Sequence, residues 1–137
     1  MKLTRAQQTH IEDIWKNHHQ YKHEKNFRYW EVVEKPKTDT NVGGGRSSDI
    51  SDTTAQRAIS LNNDMRYQYL KSIVDAVEYV YKSLDDDTKE IVSCRYWDEL
   101  GVFEWSDMKD EFNISRSKCF RIRETLINRT AKKLGWI

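Results

Sequence analysis

Cysteine, proline and long apolar runs are all scarce in this sequence, and each scarcity removes a class of protein. The two cysteines, Cys94 and Cys119, form no CxxC pair, and no histidine lies near either at a zinc-ligand spacing. A disulfide framework and a zinc finger are both unexpected, and a reducing compartment suits the chain. Pro36 is the single proline, which leaves room for long helices. No stretch approaches the roughly 20 apolar residues that cross a bilayer. The opening MKLTRAQQTH carries no apolar leader core. The expectation from these absences is a cytoplasmic protein with no membrane partner.

What is present points to a folded, helical, polyanion-binding chain. The 137 residues include five Trp, seven Tyr and four Phe. A mean hydropathy of −0.90 is low, but disordered chains lack such aromatic content. The net charge of +1 hides an asymmetry. Residues 113–137 hold seven Lys/Arg against the single acid Glu124, whereas residues 85–112 hold ten acids against Lys89, Arg95 and Lys109. A basic end beside an acidic one offers attraction where a polyanion docks and repulsion elsewhere. A merely solvated face has the same composition, so charge alone does not separate the two.

The periodicity is helical throughout, and an all-α fold is expected, with long N-terminal helices and a C-terminal helix-turn-helix. Residues 4–34 read as helix, capped by Thr4, with Ile11, Ile14, Trp15, His18 and Tyr21 on one face, continuing or restarting through Phe27, Trp30 and Val33. Lys35-Pro36 ends it, because the residue before proline avoids the α region. Residues 1–35 form an N-terminal helical segment, 36–51 (PKTDTNVGGGRSSDIS) a Gly-rich linker, and 52–137 a helical domain. The glycine run lacks the preceding strand and the GK[ST] ending of a phosphate-binding loop. Residues 52–84 read as a second long helix capped by Asp52 or Thr53. Its apolar stripe runs through Ile59, Met65, Tyr69, Leu70, Ile73, Val77, Val80, Tyr81 and Leu84. Asp85-Asp86-Asp87 opens a third helix, where acids meet the positive end of the dipole. Ile91, Val92, Cys94, Tyr96 and Trp97 form its buried side, and Leu100-Gly101 stops it.

The segment 104–134 carries the functional signal. A helix-turn-helix needs an inward apolar pair on its first helix, supplied by Met108 and Phe112. Its turn needs a residue that tolerates positive φ, and Asn113 does. Ile114 plugs the gap, and Ser115 caps the next helix. That helix, 116–134, has an apolar side at Cys119, Ile122, Leu126 and Leu134, and a polar, basic side. Gly135 stops it, with Trp136 and Ile137 folding back as a clasp. Docked by its N-terminal turns in a major groove, it aims Arg116, Ser117, Lys118, Phe120 and Arg121 at base edges. Arg123, Arg129, Lys132 and Lys133 lie further along and are expected to meet phosphates or nothing, and Ser106 and Lys109 on the preceding helix could touch the backbone.

The linker PKTDTNVGGGRSSDIS with its TDTNVGGG core, the following SDTTAQRAISL and the terminal NISRSKCFRIRETLINRTAKKLGW resemble the RinA-type phage late-gene transcription activators over roughly residues 36–137. The C-terminal part is similar to the DNA-binding region 4 of sigma factors, with Lys109 where that pattern usually places a small residue. The resemblance implies an activator from a temperate phage of a Gram-positive host. Such a protein binds double-stranded DNA upstream of a late operon, with host RNA polymerase as a further partner, and the DNA-reading role falls on Arg116, Ser117, Lys118, Phe120 and Arg121.

Two other readings stand beside it. A phage small terminase subunit also joins a helix-turn-helix to helical assembly elements. A protein-interaction module would use the 52–84 stripe and the acidic 85–112 segment to bind polymerase. No enzyme, cofactor or metal is expected. His19 and His23 lie four apart, but no third ligand accompanies them, and Asp85-Asp86-Asp87 is explained by capping. Tyr29, Trp30, Tyr96, Trp97 and Trp105 are expected in the core rather than as stacking platforms.

Overall fold

The computed structural model describes residues 2–35, 50–99 and 104–137, with the backbone alone at 50–52. Among these residues the fold is all-α, and no helix is long and apolar enough to cross a membrane. The expected linker up to residue 49 and the Leu100-Gly101 stop lie outside the described residues.

Local signals place most helix ends. Helix α1 (Arg5–Lys16) opens on a reciprocal cap: Gln7 N donates to Thr4 Oγ1 at 3.1 Å, and Thr4 N donates to Gln7 Oε1 at 2.8 Å. The helical stretch expected over 4–34 is broken at Asn17, which leaves α-geometry at φ −102°, ψ 20°. Its side chain donates to the Asp13 carbonyl at 3.0 Å, the local competition that makes Asn a poor interior residue. Helix α2 (His18–Tyr29) follows and runs into a π-helical turn at Trp30–Glu34. Lys35 is extended, as the following proline requires.

The second long helix is also two. Helix α3 (Ile50–Asn63) begins before the expected Asp52 or Thr53 cap, and α4 (Met65–Lys82) restarts after Asp64. Asp64 adopts extended geometry and caps α4, its carboxylate accepting from Tyr67 N at 2.8 Å. Arg28 of α2 holds the same carboxylate, its Nε donating to Oδ1 at 3.0 Å. The buried stripe of α4 is Tyr67, Leu70, Ile73, Val74, Ala76, Val77 and Val80. Ile59 of α3 and Met65 and Tyr69 of α4, expected in the stripe, are exposed; on α4 the pairing with α2 uses a different face.

Helix α5 (Asp86–Trp97) opens as the acids suggest: Asp85 caps it by accepting from Thr88 N at 2.7 Å. Helices α6 (Trp105–Glu111) and α7 (Arg116–Leu134) complete the chain. α7 stops at Gly135, φ +79°, where Trp136 N returns to the Ala131 carbonyl at 2.9 Å. The Trp136 ring then stacks on His10 of α1, centroids 5.6 Å apart. The expected clasp thus rests on Trp136, while Ile137 stays exposed.

One core joins the two ends of the sequence. Ile11, Ile14 and Trp15 of α1 meet Ile73, Val77 and Val80 of α4, Val92 and Tyr96 of α5, and Leu126, Ile127 and Ala131 of α7. Trp15 is fully buried, and its Nε1 donates to Thr130 Oγ1 at 2.9 Å. A smaller cluster joins Ile91 of α5, Met108 of α6 and Cys119 of α7. α5 therefore buries two faces, one in each cluster. Trp97 and Trp105 are half-buried against the larger core, whereas Tyr29 and Trp30 lie outside it, 38% and 40% exposed.

Candidate nucleic-acid interface

The turn between α6 and α7 is set by one backbone conformation. Asn113 is the positive-φ non-glycine residue among those described, at φ 51°. Its fold brings Ile114 N to the Lys109 carbonyl at 3.1 Å and lets Phe112 and Ile114 pack on the smaller cluster. Ser115 then caps α7, its hydroxyl accepting from Lys118 N at 3.1 Å. Lys109 is exposed, so the helices close over Met108 without burying its ammonium. Asn113→Val should lower stability by about 1–2 kcal/mol, because a β-branched side chain resists left-handed geometry. Asn113→Gly should be close to neutral. Thermal melting of the two variants checks this, and an unchanged midpoint in the Val variant would mean the turn does not depend on this residue.

The first turns of α7 present Arg116, Ser117, Lys118, Phe120 and Arg121 on the surface. Phe120 is 51% exposed, with the Arg116 guanidinium over its ring at 5.3 Å. Ser106 and Lys109 of α6 come to the same place: with Trp105, Arg116, Cys119 and Phe120 they line a cleft of about 240 Å³. Residues chosen from two separate helices thus share one rim. Lys118 and Arg121 border a neighbouring groove that also includes Asp85, Thr88 and Arg129. Asp85 is held below its ordinary pKa by hydrogen bonds from Thr88, with the Lys118 ammonium adding to the effect. Among the described residues, none of Arg116, Lys118 and Arg121 takes part in a salt bridge.

Arg123 does not join this set. It lies on the same stripe of α7 as Arg116, but α1 covers the stripe from that point, burying Ile127 as well. Arg123 Nε donates to Glu12 Oε1 at 2.8 Å, in a pair that is largely shielded from solvent. Tertiary packing, not its place in the sequence, turns it toward α1. Arg129 and Lys133 also turn toward α4: Arg129 Nη1 donates to Ser83 Oγ at 3.2 Å, and Lys133 Nζ sits 4.1 Å from the Tyr79 ring centre.

Two charged residues that sequence reasoning passed over shape the site from behind. Arg95 is 6% exposed, its guanidinium against the rings of Tyr96 and Trp105 at 4.9 and 5.7 Å. Glu12 is the other. Burial by itself would raise its carboxyl, but hydrogen bonds from Trp105 and Arg123, the Arg123 charge and a bond from Tyr96 hold it below the ordinary value. No local pattern marks Glu12, since its partners lie on elements distant in sequence, whereas those of Arg95 are the adjacent Tyr96 and, on the next helix and its cap, Trp105 and Glu104.

A family model described as a protein of unknown function (DUF722) matches residues 21–132. The chain belongs to the DUF722 family. The match begins within α2 and ends near the close of α7, so α5, α6 and all but the last two residues of α7 of this DUF722 chain lie inside it. No curated protein and no solved structure matches the chain. Among the described residues of this DUF722 member, no group of three His, Cys, Asp or Glu side chains could hold a metal ion.

Proposed function

We propose that this DUF722 protein is a sequence-specific, double-stranded DNA-binding transcription activator that reads a major groove with the first turns of α7. The observation that carries the reading is the exposed Arg116–Arg121 face, held on a capped helix, whose Arg116, Lys118 and Arg121 form no salt bridge among the described residues. At about 1.5 Å per residue, α7 is roughly 28 Å long, and a groove about 12 Å wide admits only its leading turns. Arg116 and Arg121 would reach guanine O6 and N7, and the exposed Phe120 ring suits a thymine methyl. Ser106 and Lys109 stand where a phosphate strand would pass. The resemblance to RinA-type regulators gives the biological setting, upstream DNA of phage late genes, with host RNA polymerase as a second partner.

Selection of duplexes from a random pool, followed by footprinting on the enriched sequence, tests the reading. Protection of one short site by a monomer or dimer is expected. Ring-shaped oligomers that bind DNA would instead favour the packaging-subunit reading. Binding should also weaken steeply with salt, by about 0.9 log units per phosphate contact for each tenfold rise in concentration. A flat titration would show that the basic face meets no phosphate.

A further inference from the structure

We propose that Glu12 is a positioning residue for DNA reading: its carboxylate, carried on α1, fixes how α6 crosses α7, so the N-terminal helix is part of the reading head. The inference rests on the DNA-binding reading above, but its mechanical half can be tested separately.

One oxygen of Glu12 gathers three donors from three helices. Oε1 accepts from Tyr96 Oη of α5 at 3.0 Å, from Trp105 Nε1 of α6 at 2.8 Å and from Arg123 Nε of α7 at 2.8 Å. These partners lie 84, 93 and 111 residues away in sequence. Each bond has an ionised acceptor, and the Arg123 bond an ionised donor as well, which makes them shorter and stronger than neutral ones. The site is shielded, with Glu12 18% and Arg123 28% exposed at the side chain, so water competes poorly.

The carboxylate is itself held in place. Its neighbours Ile11, Ile14 and Trp15 are completely buried, and Trp15 is bonded to Thr130 of α7. Glu12 therefore reaches the other helices from a fixed rod rather than from a mobile arm. Two of its three partners, Trp105 and Arg123, are placed to transmit a shift. Trp105 is the first residue of α6 and a wall of the cleft shared by Ser106, Lys109, Arg116 and Phe120. Arg123 lies about two turns beyond Arg116 on the same stripe of α7. Indole N–H can only donate, so with Glu12 gone Trp105 must find another acceptor or move. Either change alters the spacing of the α6 phosphate-side residues from the α7 base-side residues. Recognition depends on that spacing, because sites tolerate displacements of only about half an ångström.

The test uses the full chain and two variants, Glu12→Met and Trp105→Phe. The second removes one donor and leaves the carboxylate, in case the first does not fold. Each is titrated with a duplex enriched by the wild type from a random pool and with a scrambled duplex of equal length. Amide hydrogen exchange of Trp105–Glu111 is followed without DNA. Both variants are expected to keep their helical signal and to exchange faster in α6. They should lose roughly tenfold to a hundredfold in affinity for the enriched duplex, the effect of a mismatched base pair. Affinity for the scrambled duplex should hold within about twofold, since the exposed cations are untouched. Unchanged exchange in α6 overturns the positioning role. Equal losses on both duplexes overturn it in favour of general destabilisation. If the wild type enriches no duplex, the DNA reading itself falls, and the exchange result still decides whether Glu12 holds α6.

Discussion

Trp15→Ala should destabilise the fold by about 3–5 kcal/mol, the cost of emptying a large aromatic site in a close-packed core. Domains of this size are stable by only about 5–15 kcal/mol, so the loss is a large share of the whole. The indole is fully buried between the two ends of the chain. It lies 5.8 Å from the Trp97 ring and 6.0 Å from Tyr96, and its N–H donates to Thr130. Trp97 Nε1 also donates to the Trp15 carbonyl at 2.7 Å, a backbone bond that the substitution leaves in principle but loosens in practice. Trp15→Phe should recover much of the loss, because Thr130 keeps its own bond to the Leu126 carbonyl at 2.7 Å. Denaturant unfolding measures both variants. An alanine variant within about 1 kcal/mol of wild type would mean that α1 does not share the core with α7.

Arg116→Ala and, separately, Arg121→Ala should each weaken binding to the selected duplex by about 1–3 kcal/mol, the value of a good base-edge contact. Both side chains are exposed, so the melting temperature should stay near that of wild type. Discrimination should relax at one base position per variant, whereas loss of a phosphate contact weakens all sequences alike. Affinity and preference unchanged in both variants would remove the leading turns of α7 from the DNA surface.

The particular features that sequence reasoning reached are those governed by near neighbours. Asn113 takes positive φ, Ser115 caps α7, Asp85 caps α5 and Gly135 ends the last helix. Each depends on a side chain and the peptide groups within about four residues of it. The exposure of Arg116, Ser117, Lys118, Phe120 and Arg121 follows from the same register. The breaks at Asn17 and Asp64 had a local sign as well, a short polar residue inside each apparent helix. Periodicity read across them because the apolar spacing on either side nearly agrees.

The choice of face was less accessible. α4 carries apolar residues on more than one side, so spacing alone favours Met65 and Tyr69 as readily as Tyr67 and Val74, and the pairing with α2 decides. Arg123 and Arg116 share a stripe of α7, yet only Arg116 is open, because α1 lies over the far half.

By itself, then, the order of residues determined an all-helical chain, the turn before α7 and the basic leading face of that helix, since dihedral preference and capping act over a few bonds. The tertiary structure alone decided that α1 packs into the same core, that Glu12 gathers Tyr96, Trp105 and Arg123, and which cations stay open to a partner. Those outcomes depend on contacts between groups some hundred residues apart, which arise only when the helices are packed and each face must be either covered or left to solvent.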